Sequence, residues 1–171
     1  RLEPENSIEI ILDGVAKANV DRPFLVVGNH DTTYGKYLKE KFSSCLQIQF
    51  IGGIYDITVL NNLRYYSNIY FHGHTVGGTN PSLLEAMASN SLICANDNDF
   101  NRYILGNDAI YFKNADDVAN HLVNVKYEEN QFQSMLSENK RKIVDEFDWE
   151  LIVDQYANHF KDILKVKKTS F

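Results

Sequence analysis

Three short apolar runs in this chain each stop at glycine. Pro23-Phe24-Leu25-Val26-Val27 ends at Gly28-Asn29, and Leu46-Gln47-Ile48-Gln49-Phe50-Ile51 ends at Gly52-Gly53. Asn68-Ile69-Tyr70-Phe71-His72 runs into a loop carrying Gly73, Gly77 and Gly78. Short apolar runs closed by turn residues read as buried strands. Helical periods separate them, over Ser7 to Val15 (with Pro4 suited to its first turn), Tyr34 to Phe42, Thr58 to Tyr66 and Leu83 to Ser89. Leu92 to Ala95 and Ala109 to Phe112 continue the alternation as two further strands. This pattern predicts an α/β chain: a Rossmann-like parallel sheet with helices on both faces. Such sheets take their ligands outside the carboxyl ends of the strands, which is where the glycines cluster.

Beyond Phe112 the strands stop. Residues 115–171 read as mainly helical, over Asp116 to Val125, Gln131 to Asp145 and Glu150 to Leu164. Trp149 precedes Ile152, Tyr156 and Phe160 at helical spacing, which predicts a helix packed on the sheet domain. At 171 residues the whole is expected to be a single domain. It opens at Arg1-Leu2-Glu3-Pro4-Glu5 without an initiator methionine, so a piece of a longer chain, cut just after a strand, is expected. The net charge of -6 disfavours a nucleic-acid partner but not one small anion at a local site. Cys45 and Cys94 lie in apolar stretches and read as buried reduced thiols, with no zinc spacing. No apolar run is long enough to span a bilayer and no signal peptide is visible. A cytoplasmic setting is expected, with weak contact to the inner membrane face through the basic Lys165-Val166-Lys167-Lys168.

The chemistry is concentrated in Phe71-His72-Gly73-His74-Thr75-Val76-Gly77-Gly78-Thr79-Asn80-Pro81-Ser82-Leu83-Leu84-Glu85-Ala86. Thr79 or Asn80 can cap a helix, and Pro81 suits its first position. The backbone N–H groups that follow, with the helix dipole, make a site for an anion such as a phosphate. Gly77 and Gly78 allow a ligand close to the backbone. Ser82 and Glu85 share one helix face, and Glu85 leans back toward the helix start. A carboxylate beside a phosphate repels it, whereas a carboxylate accepting from ribose hydroxyls does not, so one nucleotide accounts for both features. A capped turn alone would also explain the sequence. The G-x-G-x-x-G and G-x-x-x-x-G-K-[ST] patterns are absent, against dehydrogenases and P-loop enzymes. His72 ends a strand, while His30 and Asp31 follow one. Asn96-Asp97-Asn98-Asp99-Phe100-Asn101 lacks the spacing of a calcium loop and reads as a turn edging the acceptor cleft.

On Arg1-Leu2-Glu3-Pro4-Glu5-Asn6 and on His72 to Ala86, the chain resembles the C-terminal, nucleotide-sugar-binding domain of retaining glycosyltransferases of the GT-B fold. Within that group it is similar to family-4-like enzymes of the rhamnosyltransferase type. The resemblance implies that Arg1 contacts the donor diphosphate, whereas Asn6 stands where a second cation is usual. It implies that Glu85 binds ribose, as the second glutamate of an E-x7-E pair. Gly77 stands where the first, sugar-side glutamate would be, and the backbone of Gly77 to Asn80 with His74 would take over that task. Gly53-Ile54-Tyr55 matches the stretch that holds the base.

The resemblance thus assigns Arg1 and His74 to catalysis. It assigns Gly53, Ile54, Tyr55, Gly77, Gly78, Thr79, Asn80, Pro81, Ser82, Leu83 and Glu85 to the donor. The implied activity is metal-independent transfer of a hexose, rhamnose in that branch, from a dTDP- or UDP-sugar. The implied acceptor is a glycan or lipid-linked sugar in polysaccharide assembly, brought by an N-terminal domain outside this sequence. No cofactor is implied. A nucleotide-sugar epimerase of the same fold and a non-catalytic nucleotide-binding α/β module are the alternatives.

Overall fold

The computed structural model describes residues 2–125 and 130–168, with the side chains at 131 and 166–168 outside the description. A 3₁₀ turn at Pro4–Asn6 leads into α1 (Ile8–Ala18). Ser7 between them adopts a left-handed φ of 49°, so Pro4 starts its own short turn rather than α1. β1 (Phe24–Val27), α2 (Thr33–Lys41), β2 (Ile48–Gly52), α3 (Ile57–Tyr66), β3 (Tyr70–His72), α4 (Pro81–Ala88) and β4 (Ile93–Asn96) follow. Next come α5 (Asp99–Leu105), β5 (Ile110–Phe112), α6 (Ala115–Asn124), α7 (Asn130–Glu146) and α8 (Trp149–Lys168). The alternation read from the sequence is the architecture found. The prediction that 96–101 is a turn fails: Asn98 accepts from the Asn101 N–H at 3.0 Å and so starts α5.

Every strand pair is parallel. The hydrogen-bonded ladders form two groups, β1-β2 and β3-β4-β5. Side chains join the groups, since the Phe24 and Phe71 rings lie 5.5 Å apart. One buried cluster packs α1, α2 and α6 against this seam through Leu12, Val15, Leu38, Cys94, Phe112 and Val118. A second fills the opposite face with Leu83, Ala86 and Met87 of α4, Ile93 and Ala95 of β4, and Ile104 and Leu105 of α5. Helices therefore cover both faces, as expected of strands that are apolar on both sides. Gly14 sits where α1 meets α6: a Cβ there would lie 2.5 Å from that of Val118, so no other residue permits this approach.

Two further expectations need correction. Cys94 is buried, but Cys45 is only half-buried; both thiols are free. Most of the α8 apolar face is not packed on the sheet domain: Ile152 is half-buried, but Trp149 is 77% exposed and Tyr156 and Phe160 are exposed as well. Its apolar spacing marks a helix correctly, but spacing carries no information about what the helix meets. The basic end Lys165–Lys168 continues α8; the side chains from 166 on, and Arg1, lie outside the described residues. Among the described residues no helix is long and apolar enough to cross a membrane.

Candidate nucleotide-binding site

The two segments that carried the resemblance come together in space. The Glu5 carbonyl accepts from both the N–H and the Oγ1 of Thr75, each at 2.9 Å. Gly73 is packed so tightly on the opening turn that a Cβ would fall 1.9 Å from the Asn6 carbonyl oxygen. The loop after β4 holds the other side: the His74 carbonyl accepts from Asn98 Nδ2 at 2.9 Å and Asn101 Nδ2 at 3.1 Å. The backbone at 73–75 is thereby fixed from two directions, and the open segment 76–80 starts from a rigid base.

Asn80 is the residue that caps α4. Its Oδ1 accepts from the Ser82 N–H at 3.0 Å and from Ser82 Oγ at 2.7 Å, and its carbonyl accepts from the Leu83 N–H at 3.0 Å. This corrects one expectation about the anion site. Ser82 and Leu83 have no free N–H to offer, Pro81 has none, and the Leu83 side chain is in the core. Among the described residues, the N–H groups of Gly77, Gly78, Thr79 and Asn80, just outside the helix, have no protein hydrogen-bond partner, nor has that of Val76 before them. The positive end of the α4 dipole lies behind them. Gly77 has φ 102°, and beside Gly78 nothing stands within 4 Å of where a Cβ would be. The loop is open on the side a ligand would approach.

Glu85 lies one turn into α4. Its Oε2 accepts from Arg64 Nη2 of α3 at 2.6 Å. Arg64 itself is buried, and its Nη1 donates to Asn61 Oδ1 at 2.8 Å. Nothing local in the sequence marks this pairing, because an arginine on a helix reads as surface and its partner is on the next helix. His72 and His74 stack, with ring centroids 4.6 Å apart and planes 13° from parallel. Burial pushes His72 down to about 3, with the neighbouring His74 adding to the shift. Burial also lowers His74 from its ordinary value, so its imidazole is a neutral hydrogen-bonding group at neutral pH.

Gly53, Ile54 and Tyr55 follow the carboxyl end of β2, and Asp56 caps α3 directly after them through the Thr58 N–H at 2.8 Å. Tyr55 is 92% exposed, its hydroxyl end lying against Gly53. Among the described residues no hydrogen bond or ion pair links this stretch to the β3–α4 loop. His30 packs edge-on to Phe50 and near Gly52, while Asp31 is exposed. On the other flank, a cavity of about 210 Å³ lies between the loop and α5, lined by Gly78, Thr79, Asp99, Phe100, Tyr103 and Ile104. Phe100 lies in the stretch read as a turn and Tyr103 just beyond it; the Asn98 cap, three residues before Asn101, is the local signal for the helix that carries both. Among the described residues no group of His, Cys, Asp and Glu comes together as a metal site.

No known family of sequences and no curated protein matches the chain. Solved structures do. HepE of Anabaena, solved with UDP and glucose, superposes with a TM-score of 0.80 at 18% identity, over 95% of this chain and 46% of that one. A glycosyltransferase from Rickettsia africae gives 0.79 at 17% identity, over 96% and 46%. The pneumococcal O-GlcNAc transferase GtfA, solved with UDP and GlcNAc, gives 0.71 at 18% identity, over 96% and 34%. The chain thus spans half or less of the length of the structures it matches. Its fold is the Rossmann-like GT-B fold of these proteins.

Proposed function

We propose that this chain is the donor-binding domain of a glycosyltransferase, which holds a nucleoside diphosphate sugar at the start of α4. One observation carries the reading: the exposed stretch Gly77 to Thr79, open beside both glycines, leads with unpartnered N–H groups into the Asn80-capped start of α4, with the Glu85 carboxylate one turn behind. The neighbouring structures solved with UDP support the same ligand class.

In this reading the diphosphate lies on the N–H groups of Gly77 to Asn80 and the ribose hydroxyls donate to Glu85. As the bond between sugar and diphosphate breaks, negative charge grows on the leaving phosphate. Fixed N–H dipoles already pointing there stabilise that charge without reorganising; one such donor is typically worth about 3–4 kcal/mol of barrier. Arg1 would add a cation. The neutral imidazole of His74 would contact the transferred sugar on the side where Gly77 leaves no carboxylate. Gly53-Ile54-Tyr55 would meet the base. Rhamnose as the sugar, transfer with retention in polysaccharide assembly, and an acceptor delivered by another domain all rest on the sequence resemblance. So does independence from metal ions, while a cytoplasmic location with weak membrane contact rests on the sequence's short apolar runs and its basic Lys165-Val166-Lys167-Lys168.

Calorimetry with dTDP, UDP, GDP and ADP tests the proposal. At least one is expected to bind, about tenfold or more tighter than its nucleoside, since most donors face the phosphates. Failure of every diphosphate to bind would favour a non-catalytic module without a nucleotide. The domain by itself is expected to transfer no sugar, and measurable transfer by it would overturn that part. Epimerised sugar from donor alone would point to the epimerase instead.

A further inference from the structure

We infer that Arg64 is a positioning residue for Glu85: it fixes one carboxylate oxygen so that the other is presented to the donor's ribose. The inference rests on the donor reading above and adds a residue to it. Arg64 cannot touch the ligand itself, because its side chain is only 6% exposed. Its guanidinium is held from two helices, by Asn61 one turn back on α3 and by Glu85 on α4. The Tyr70 ring lies 6.0 Å from its Cζ. The Arg64 carbonyl accepts from Ser67 Oγ at 2.7 Å and Ser91 Oγ at 3.0 Å, so its backbone is fixed too.

The Glu85 side chain is 41% exposed, and its Oε1 has no hydrogen-bond partner among the described residues. One end of the carboxylate is therefore anchored in the protein and the other faces solvent. A free glutamate side chain loses substantial rotamer freedom when a ligand immobilises it. Anchoring on Arg64 removes that loss before the ligand arrives. The charge matters equally. A bare carboxylate one turn from a diphosphate would repel it, whereas a carboxylate paired with a buried guanidinium leaves the pair neutral overall. Lysine would supply the charge without the planar fork that grips Asn61 and Glu85 together.

The test compares binding of UDP and 2′,3′-dideoxy-UDP by calorimetry in wild type, Glu85→Gln, Arg64→Met and Arg64→Lys. Wild type is expected to prefer UDP by about tenfold, the worth of a hydrogen bond to a charged acceptor. Glu85→Gln should reduce that preference to about twofold or less. Arg64→Met should do the same with Glu85 intact, and Arg64→Lys should restore it only in part. General damage to the fold would weaken both ligands alike and preserve the ratio. A ratio that collapses in Glu85→Gln but persists in Arg64→Met would overturn the positioning role and leave the donor reading standing. A wild type that binds UDP without preference would overturn the ribose reading and the inference with it, and one that binds neither nucleotide would overturn UDP as the ligand on which the inference rests. If Arg64→Met fails to fold, the Arg64→Lys ratio decides: full wild-type preference would refute the need for the fork.

Discussion

Replacing Glu85 with alanine should unsettle the fold as well as the site. The variant leaves the buried Arg64 guanidinium without its counter-charge, keeping Asn61 and the nearby Tyr70 as its neutral side-chain partners. At the 2.6 Å contact, an effective dielectric of about 20 gives a gross attraction of about 6 kcal/mol. Much of this is offset by the cost of taking the cation out of water. Deleting one partner of a buried pair typically costs about 3–5 kcal/mol. Glu85 is itself 41% exposed, so water can reach the vacated space, which puts the expected loss at the lower end, about 3 kcal/mol. In a domain of this length each kcal/mol lowers the melting temperature by about 2–4 °C, so a drop of about 6–12 °C is expected. Differential scanning calorimetry at pH 7 without ligand measures it. Glu85→Gln keeps an acceptor for the guanidinium and should fall by about half as much. A Glu85→Ala transition within about 2 °C of wild type would refute the reasoning, because Arg64 would then need no carboxylate to remain buried. Ligand affinities of the variant should accordingly be compared well below its lowered transition.

Other predictions follow from single positions. Gly78→Ala meets no neighbour within 4 Å and no left-handed φ; its melting temperature should match wild type within about 1 °C. If phosphate lies against that backbone, the same variant should lose about tenfold or more in nucleoside diphosphate affinity by calorimetry; unchanged affinity would remove Gly78 from the site. His72 supplies a pH test. Burial sets its pKa at about 3 in the folded chain, against 6.5 ordinarily, so between those values the unfolded chain takes up a proton that the folded chain refuses. Its effect is absent above about pH 6.5, and below that stability falls by about 1.4 kcal/mol per pH unit. In urea titrations, wild type should lose about 2 kcal/mol more than His72→Phe between pH 7 and pH 5; equal losses would contradict the buried neutral imidazole.

What could be read in advance divides by the range of the interaction. β1 and β2 end where their glycines stand, and the α4 start was visible in Asn80-Pro81, because strand ends, caps and turns are written by adjacent residues. α5 was missed because its first turn is polar and its Asn98 and Asn101 look like loop residues, although one caps the helix and both hold the His74 carbonyl. Arg64–Glu85 could not be read at all: the residues are 21 apart and sit on different helices, and no local pattern marks a buried cation. The free N–H groups lie a few residues before the expected helix start, since the Asn80 cap satisfies Ser82 and leaves the unpartnered donors on Gly77 to Asn80. For α8, periodicity foretold the helix, but its exposed apolar face shows that amphipathicity names no partner.

The split of the strands into two ladders has a consequence for how a ligand would act on the whole molecule. Gly53-Ile54-Tyr55 hangs from the β1-β2 ladder, while Gly77 to Asn80 hangs from the ladder of β3, β4 and β5. Between the ladders runs a seam of side chains, Phe24 against Phe71. A nucleotide with its base on one side and its phosphates on the other would bridge that seam as a removable crosslink. Occupancy would then be felt as slower amide exchange in β1 and β3 together, in strands the ligand never touches.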